Sequence, residues 1–169
     1  FVEPNINLVR GSEIQSTCVE FDTSHVLYGK LRPYLNKVIV PSQPGVGSTE
    51  WVPLRPIPEL LDRKYLACVL RTKLFVDYAT SSSTGARMPR ASKEALRIAA
   101  IPLPYPNDPP RSLAEQRRIV ARLEALLGEV RELRRLQAEI EAGCGAVDRN
   151  GPSRGVLRLS TPIPNSQVR

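Results

Sequence analysis

The feature that most constrains the fold is the stretch 111–142, which contains no proline, aromatic residue or cysteine but has 13 charged side chains. Its apolar residues recur at alternating steps of four and three, the heptad spacing of a helix that packs against another helix. At 1.5 Å per residue, a helix of this length extends roughly 46 Å. One polar residue interrupts the seam, which consists of Ile119, Leu123, Leu126, Val130, Leu133, Gln137 and Ile140.

The ends and the partner of this helix also follow from the sequence. Ser112 and Glu115 have the spacing of a capping box directly after two prolines, and Gly143 and Gly145 predict where the helix ends. Because such a helix is longer than a small domain is wide, we expect its seam to pair with a second helix, from the same protein or from a second copy. The alternative is an amphipathic helix that folds back over its own domain.

Composition divides the chain into three segments. Residues 1–110 hold all nine aromatic residues and 13 of the 16 prolines, whereas 143–169 are rich in Gly, Pro, Ser and Asn. Apolar runs between prolines and glycines predict strands at 25–28, 35–40, 49–54 and 98–103, and helices at 59–71 and 92–97. The predicted fold is therefore α+β: a small mixed domain at 1–110, one long coiled-coil-type helix at 111–142, and a disordered tail at 143–169.

The chain is basic, with 24 Lys and Arg against 17 Asp and Glu and a net charge of +7. Nineteen of the basic residues are arginine, which suits anion recognition but also follows from arginine-rich codon usage in a GC-rich genome. No apolar run is long enough to predict a membrane span. Cys18, Cys68 and Cys144 lie far apart and are odd in number, so we expect a reducing, cytoplasmic setting. Because the sequence begins at Phe1, we also expect residues 1–110 to be an incomplete domain.

Two groups of side chains are candidates for contact with nucleic acid. The first follows Gly29 and contains Lys30, Arg32 and Lys37; the alternative is a solvated sheet edge. The second lies in a predicted loop, where hydroxyls and guanidinium groups donate to phosphate oxygens and glycine permits close backbone approach. Its members are Ser81, Ser82, Ser83, Thr84, Gly85, Arg87 and Arg90. The alternative there is a flexible surface loop.

The sequence predicts no catalytic site, no metal site and no cofactor. His25 is the only histidine, so no histidine-based metal cluster or Ser–His pair is expected. Asp62, Asp77 and Glu94 lack the paired spacing typical of nucleases. A glycine-rich phosphate-binding or methyltransferase cofactor loop is also missing from the sequence. We therefore do not expect an enzyme.

Five segments in order carry a resemblance to a known family. They read VLYGKLRPYLNK at 26–37, GSTEWVPLRP at 47–56, YLACVLR at 65–71, STGARMPR at 83–90, and IPLP at 101–104 followed by EQRRIV at 115–120. Together they resemble the target-recognition domain and the following conserved helix of type I restriction-modification specificity subunits. The resemblance covers about residues 20–142. After Ala142, the apolar continuation with an aromatic-Gly ending that the family shows is not found.

The resemblance implies a non-catalytic protein that binds double-stranded DNA. Such subunits carry two target-recognition domains, each reading one half of a split site, held apart by two antiparallel helices. A methyltransferase subunit, which uses S-adenosylmethionine to modify adenine N6, and an ATP-driven restriction subunit assemble on them. The seam of 111–142 would then be the spacer and the subunit contact. The alternative is a coiled-coil interaction protein, or a non-functional remnant, with only non-specific affinity for nucleic acid.

Overall fold

The computed structural model describes the backbone of residues 17–147 and the side chains of residues 17–142. The chain divides into two compact units, Phe1–Leu126 and Leu127–Arg169. The start of the domain, predicted to be incomplete, and most of the tail predicted to be disordered lie outside the described residues.

Within these residues, short strands form three antiparallel groups. In chain order they are β1 (Cys18–Phe21), β2 (Val26–Gly29), β3 (Val38–Ile39), β4 (Gly45–Ser48), β5 (Trp51–Leu54), β6 (Ser83–Thr84) and β7 (Arg90–Ala91). β1 pairs with β4, β2 lies between β3 and β5, and β6 pairs with β7. Since β2 is buried along its whole length, the three-stranded group is the centre of the fold.

The helices of the described residues are α1 (Arg63–Leu70), α2 (Lys73–Ser81), α3 (Lys93–Ile98) and α4 (Pro109–Val147). α1, α2 and α3 each begin after a residue whose side-chain oxygen accepts a backbone N–H: Asp62, Thr72 and Ser92. Such N-caps satisfy donors that the first turn of a helix leaves unpaired. The cap predicted at Ser92 is confirmed, because its hydroxyl accepts from the Ala95 N–H at 3.3 Å.

The hydrophobic core joins the central sheet to α1, α2 and α3. The edge of one aromatic ring meets the face of another here: the Tyr28 and Phe75 centroids lie 5.7 Å apart at an interplanar angle of 79°. The buried members of the core are Val26, Tyr28, Val38, Leu66, Ala67, Leu70, Phe75, Ala79, Ala91 and Leu96. The predicted fold class, a small α+β domain with a long helix, is confirmed.

Three local expectations about α4 and the preceding segment are wrong. The helix begins at Pro109, so Ser112 lies inside it, and the Asp108 side chain accepts from the Arg111 N–H in place of the predicted capping box. It also continues to Val147, past the glycines predicted to end it, since glycine lowers helix propensity without itself forcing a left-handed turn. The predicted strand at 98–103 is absent, because Pro102 and Pro104 have no N–H to donate to a ladder.

The strand predicted at 35–40 is shorter than expected. Arg32 and Asn36 both have left-handed backbones, with φ of 52° and 50°, and a 3₁₀ turn at Pro33–Leu35 lies between them. Pairing with β2 therefore begins only at Val38. The sequence reading also missed β1 and β4, since the glycine-rich β4 has no alternation of apolar and polar residues.

Candidate nucleic-acid interface

The segment that leaves β2 lies directly beside β7. The Lys30 N–H donates to the Glu50 carbonyl at 3.0 Å, and the Lys30 carbonyl accepts from the Ala91 N–H at 2.9 Å. The Arg32 N–H donates to the Pro89 carbonyl at 2.7 Å. These hydrogen bonds bring together the two groups of residues that the sequence analysis singled out separately.

The backbone of this segment is held in a conformation that non-glycine residues seldom adopt. A left-handed residue such as Arg32 costs about 1 kcal/mol relative to a relaxed backbone, and its N–H is fixed by Pro89. At the other end of the 3₁₀ turn, the Asn36 side-chain amide donates to the Arg71 carbonyl at 2.9 Å. Contacts distant in sequence therefore fix the backbone of the turn before any ligand arrives.

We call Lys30, Arg32, Arg87 and Arg90 the basic patch. Arg32, Arg87 and Arg90 are exposed and Lys30 is half-buried. Arg90 forms an ion pair with Glu50, in which Nη2 lies 2.9 Å from Oε1. The hydrogen bond from Arg90 lowers the pKa of the Glu50 carboxyl, with a further contribution from the charge of Lys30. The Glu50 carboxylate is thus paired with Arg90 and also lies within the influence of the Lys30 charge.

The serine hydroxyls predicted to contact DNA are already used at the end of α2. Ser81, Ser82 and Ser83 donate to the carbonyls of Tyr78, Ala79 and Thr80 at 2.9, 3.1 and 2.7 Å. In this conformation the three hydroxyls donate to carbonyls at the end of α2, and their contact with phosphate stays a prediction.

The other three residues predicted to contact DNA are Thr84, Gly85 and Lys37, and they lie on elements next to the basic patch. Thr84 is exposed in β6, and Gly85 has a φ of 97°, which a side chain would strain. Lys37 lies on the β3 side of β2, where its carbonyl accepts from the Gly29 N–H at 2.9 Å. The patch joins β2 on the other side, next to Glu50, so Lys37 is not part of it.

The helix seam changes from half-buried to exposed between Leu123 and Leu126. Ile119 and Leu123 are half-buried in the first unit. From there the seam is exposed: the accessible fractions of Leu133 and Ile140 are 66% and 67%, and Leu126, Val130 and Gln137 are also exposed. Apolar side chains this exposed at heptad spacing form a surface suited to another helix.

A different face of α4 fixes the helix to the domain, and the sequence reading missed it. Ser112, Gln116 and Val120, spaced by four, are all buried. Gln116 has no accessible surface; its amide donates to the Leu60 carbonyl at 2.9 Å and accepts from the Asp62 N–H at 2.8 Å. The available signal was a glutamine four residues from both Ser112 and Val120. Ser112 also accepts from the Gln116 amide, but Leu60 and Asp62 lie more than fifty residues earlier in the chain.

Among residues 17–142, no three His, Cys, Asp or Glu side chains are grouped so that they could hold a metal ion. In the same part of the chain, no helix is both long and apolar enough to cross a membrane.

Comparisons with known proteins agree on one class. No model of a protein family matches the chain. The chain is 33% identical over 107 residues to the type I restriction enzyme EcoDI specificity subunit of Escherichia coli; the match covers 63% of this chain and 22% of that protein. The crystal structure of the HsdS subunit from Thermoanaerobacter tengcongensis is similar with a TM-score of 0.63 and 25% identity, over 82% of this chain and 37% of that one.

The resemblance to type I restriction-modification specificity subunits is therefore confirmed by sequence and by fold. The small α+β domain followed by a long helix is shared with the HsdS subunit. The chain spans about a fifth of the curated relative and somewhat more than a third of the solved one, so the similarity concerns one segment of those proteins.

Proposed function

We propose that this chain is a non-catalytic module that recognises a DNA sequence within a type I restriction-modification enzyme. It reads one half of a bipartite site in double-stranded DNA, in the cytoplasm. It needs no cofactor of its own, and the methyltransferase and restriction subunits assemble on the scaffold that its helix helps to form. The relatives' names as specificity subunits support this assignment.

The proposal rests on one observation: the segment after β2 and the segment at β7, which are distant in sequence, lie side by side in the basic patch. Backbone hydrogen bonds at Lys30 and Arg32 hold the two segments against each other, so four cations reach solvent from a fixed framework. A contiguous basic surface attracts the DNA backbone, and rigidly held arginines distinguish base edges. Thr84, Gly85 and Lys37 lie on adjoining elements and are proposed as further contacts.

The exposed seam of α4 supports the scaffold part of the proposal. Leu126, Val130, Leu133 and Ile140 present apolar surface, and Gln137 is the polar position expected to fix the register. We propose that this seam, including Ile119 and Leu123 where they are accessible, pairs with a second specificity-subunit helix. That helix comes from the remainder of the same protein or from another copy of this chain.

Selection from duplexes with a randomised central segment tests the DNA-reading proposal. The 169-residue chain is expected to enrich one short sequence at about 150 mM salt and to prefer it to a scrambled duplex. The double variant Arg87→Ala plus Arg90→Ala should lose that preference. Arg97→Ala plus Arg122→Ala is the matched control, because it removes the same charge from exposed positions outside the patch.

The two function classes give different results in this assay. A coiled-coil interaction protein, or a remnant without function, would bind all duplexes alike with strong salt dependence, or would not bind at all. Equal loss of preference in both double variants would show that net charge, not the patch, governs binding. Either result would contradict the proposal.

Co-purification with the methyltransferase subunit of a type I restriction-modification system tests the scaffold separately. A complex of defined mass is expected, and it should form without DNA. If the folded chain forms no complex with the methyltransferase subunit at any concentration tested, the scaffold role is contradicted. The DNA-binding proposal is not affected by that result.

A further inference from the structure

The ion pair between Glu50 and Arg90 leaves one particular edge of the guanidinium available. Arg90 Nε lies 3.0 and 3.1 Å from the two Glu50 carboxylate oxygens, and Nη2 lies 2.9 Å from Oε1. Within residues 17–142, Nη1 makes no hydrogen bond. The donors that remain are the two on Nη1 and the second one on Nη2.

These remaining donors have the geometry of a base-reading arginine. Nη1 and Nη2 lie at the end of the planar group and point outward in parallel, which matches two acceptors on one edge. Guanine presents such a pair, O6 and N7, in the major groove, and an arginine that donates to both is the commonest specific contact with DNA.

Arg90 is also held at both ends. Its backbone forms an antiparallel bridge with Leu31, and its guanidinium is held by Glu50. Glu50 in turn is fixed through its carbonyl, which accepts from the Lys30 N–H. Arginine has a long and flexible side chain, so prior fixation at both ends reduces the entropy lost when it pairs with a base.

The position of Glu50 is hard to explain by stability or by charge alone. The accessible side-chain fractions are 30% for Glu50 and 44% for Arg90, and ion pairs this exposed contribute little to folding. A carboxylate inside a basic patch also weakens attraction to phosphate. What the pair provides is a fixed direction for the guanidinium.

We propose that Glu50 is a positioning residue that aims the Nη1–Nη2 edge of Arg90 at a guanine in the recognised half-site. The inference rests on the proposed DNA-reading function and adds to it one base and one residue outside the predicted contacts. Glu50 does not touch the DNA; it acts through Arg90.

The test uses the duplex that the wild-type chain enriches, with each guanine replaced in turn by 7-deazaguanine, which lacks only the N7 acceptor. Binding of the full chain to each duplex is measured by fluorescence anisotropy. The variants are Glu50→Gln, Arg90→Lys and the charge swap Glu50→Arg plus Arg90→Glu. The swap keeps an ion pair at this place in the fold but removes the arginine from position 90, and thermal unfolding of each variant monitors folding.

At one guanine position, the loss of N7 is expected to weaken binding of the wild-type chain about five- to a hundredfold. The same replacement should have little effect on all three variants, because their contact with that base is already lost or misdirected. For Glu50→Gln, binding to a scrambled duplex should stay equal or become stronger, since a negative charge is removed.

Three results would overturn the inference. If Glu50→Gln keeps the full sensitivity to N7, Glu50 does not position Arg90. If the charge swap keeps it, the ion pair matters only for the fold. If the wild-type chain enriches no duplex at all, the proposed function fails, and this inference fails with it.

Discussion

The side-chain oxygen of Gln116 accepts a hydrogen bond from the backbone N–H of Asp62 at 2.8 Å, in the interior of the domain. Asp62 is also the N-cap of α1, where its carboxylate accepts from the Lys64 and Tyr65 N–H groups. The start of α1 is therefore tied to a residue in the first turns of α4. This junction holds the first turns of α4 against the domain.

Replacing Gln116 should damage the fold strongly. Gln116→Ala leaves the Asp62 N–H and the Leu60 carbonyl without partners in a buried site, so the free energy of unfolding should fall by about 2–4 kcal/mol. Denaturant unfolding followed by circular dichroism measures this. The control is Lys64→Ala at the same junction, where an exposed ion pair with Glu124 is lost, at a cost below about 1 kcal/mol. Equal effects of the two variants would contradict the role given to Gln116.

Two buried tyrosines should respond in opposite ways to loss of their hydroxyl. The Tyr28 hydroxyl is buried without a hydrogen-bond partner among the described residues, and burial raises its pKa to about 12. Tyr28→Phe should therefore keep or increase the free energy of unfolding, by up to about 1 kcal/mol. Tyr65→Phe should lower it by about 1 kcal/mol, because the Tyr65 hydroxyl donates to the Pro102 carbonyl at 2.9 Å. Thermal unfolding compares the pair, and a larger loss in Tyr28→Phe would be inconsistent with this structure.

Replacing either of two glycines by alanine should change the free energy of unfolding, but in opposite directions. Gly85 has a φ of 97°, and a Cβ there would lie 3.1 Å from the Met88 carbonyl oxygen, so Gly85→Ala should destabilise the protein by about 1–3 kcal/mol. Gly128 lies within α4, where an added Cβ would meet no atom within 4 Å, so Gly128→Ala should stabilise by about 1 kcal/mol. The measurement is the midpoint of urea unfolding; shifts of the same sign would refute the prediction.

The exposed seam predicts self-association that a single charge disrupts. Leu133→Glu places a carboxylate at the centre of the proposed helix pair and should weaken it at least about a hundredfold, because a buried charge is costly. Ala138→Glu adds the same charge off the seam and should leave the mass unchanged. Sedimentation equilibrium of the chain should show a dimer for wild type and Ala138→Glu and a monomer for Leu133→Glu. Identical masses for all three proteins would exclude pairing through this seam between copies of the chain.

The sequence predicts well those elements that are determined by residues close to one another in the chain. Helical periodicity predicts α4, and a serine before a helical run correctly predicts the cap of α3. β4 cannot be predicted in this way. Its glycine-rich sequence has no strand pattern, and it is a strand because it forms hydrogen bonds with β1.

The candidate interface could be predicted only in part for the same reason. Arg87 and Arg90 stand out from composition and loop chemistry alone. That Glu50 reaches Arg90, or that Lys30 lies against Ala91, depends on strand pairing between distant segments. The hydroxyls of 81–83 suggest phosphate contacts in sequence, yet in the structure they donate to carbonyls at the end of α2, which are the nearer acceptors.

Sequence-specific DNA binding is measured most directly by competition at equilibrium. The wild-type chain is bound to its enriched duplex at about 150 mM salt, and unlabelled enriched or scrambled duplex is added as competitor. If three or more base pairs are read, the enriched duplex should compete at least about a hundredfold better. Equal competition by the two duplexes would contradict the account, because the basic patch would then bind only the charge of DNA and not its sequence.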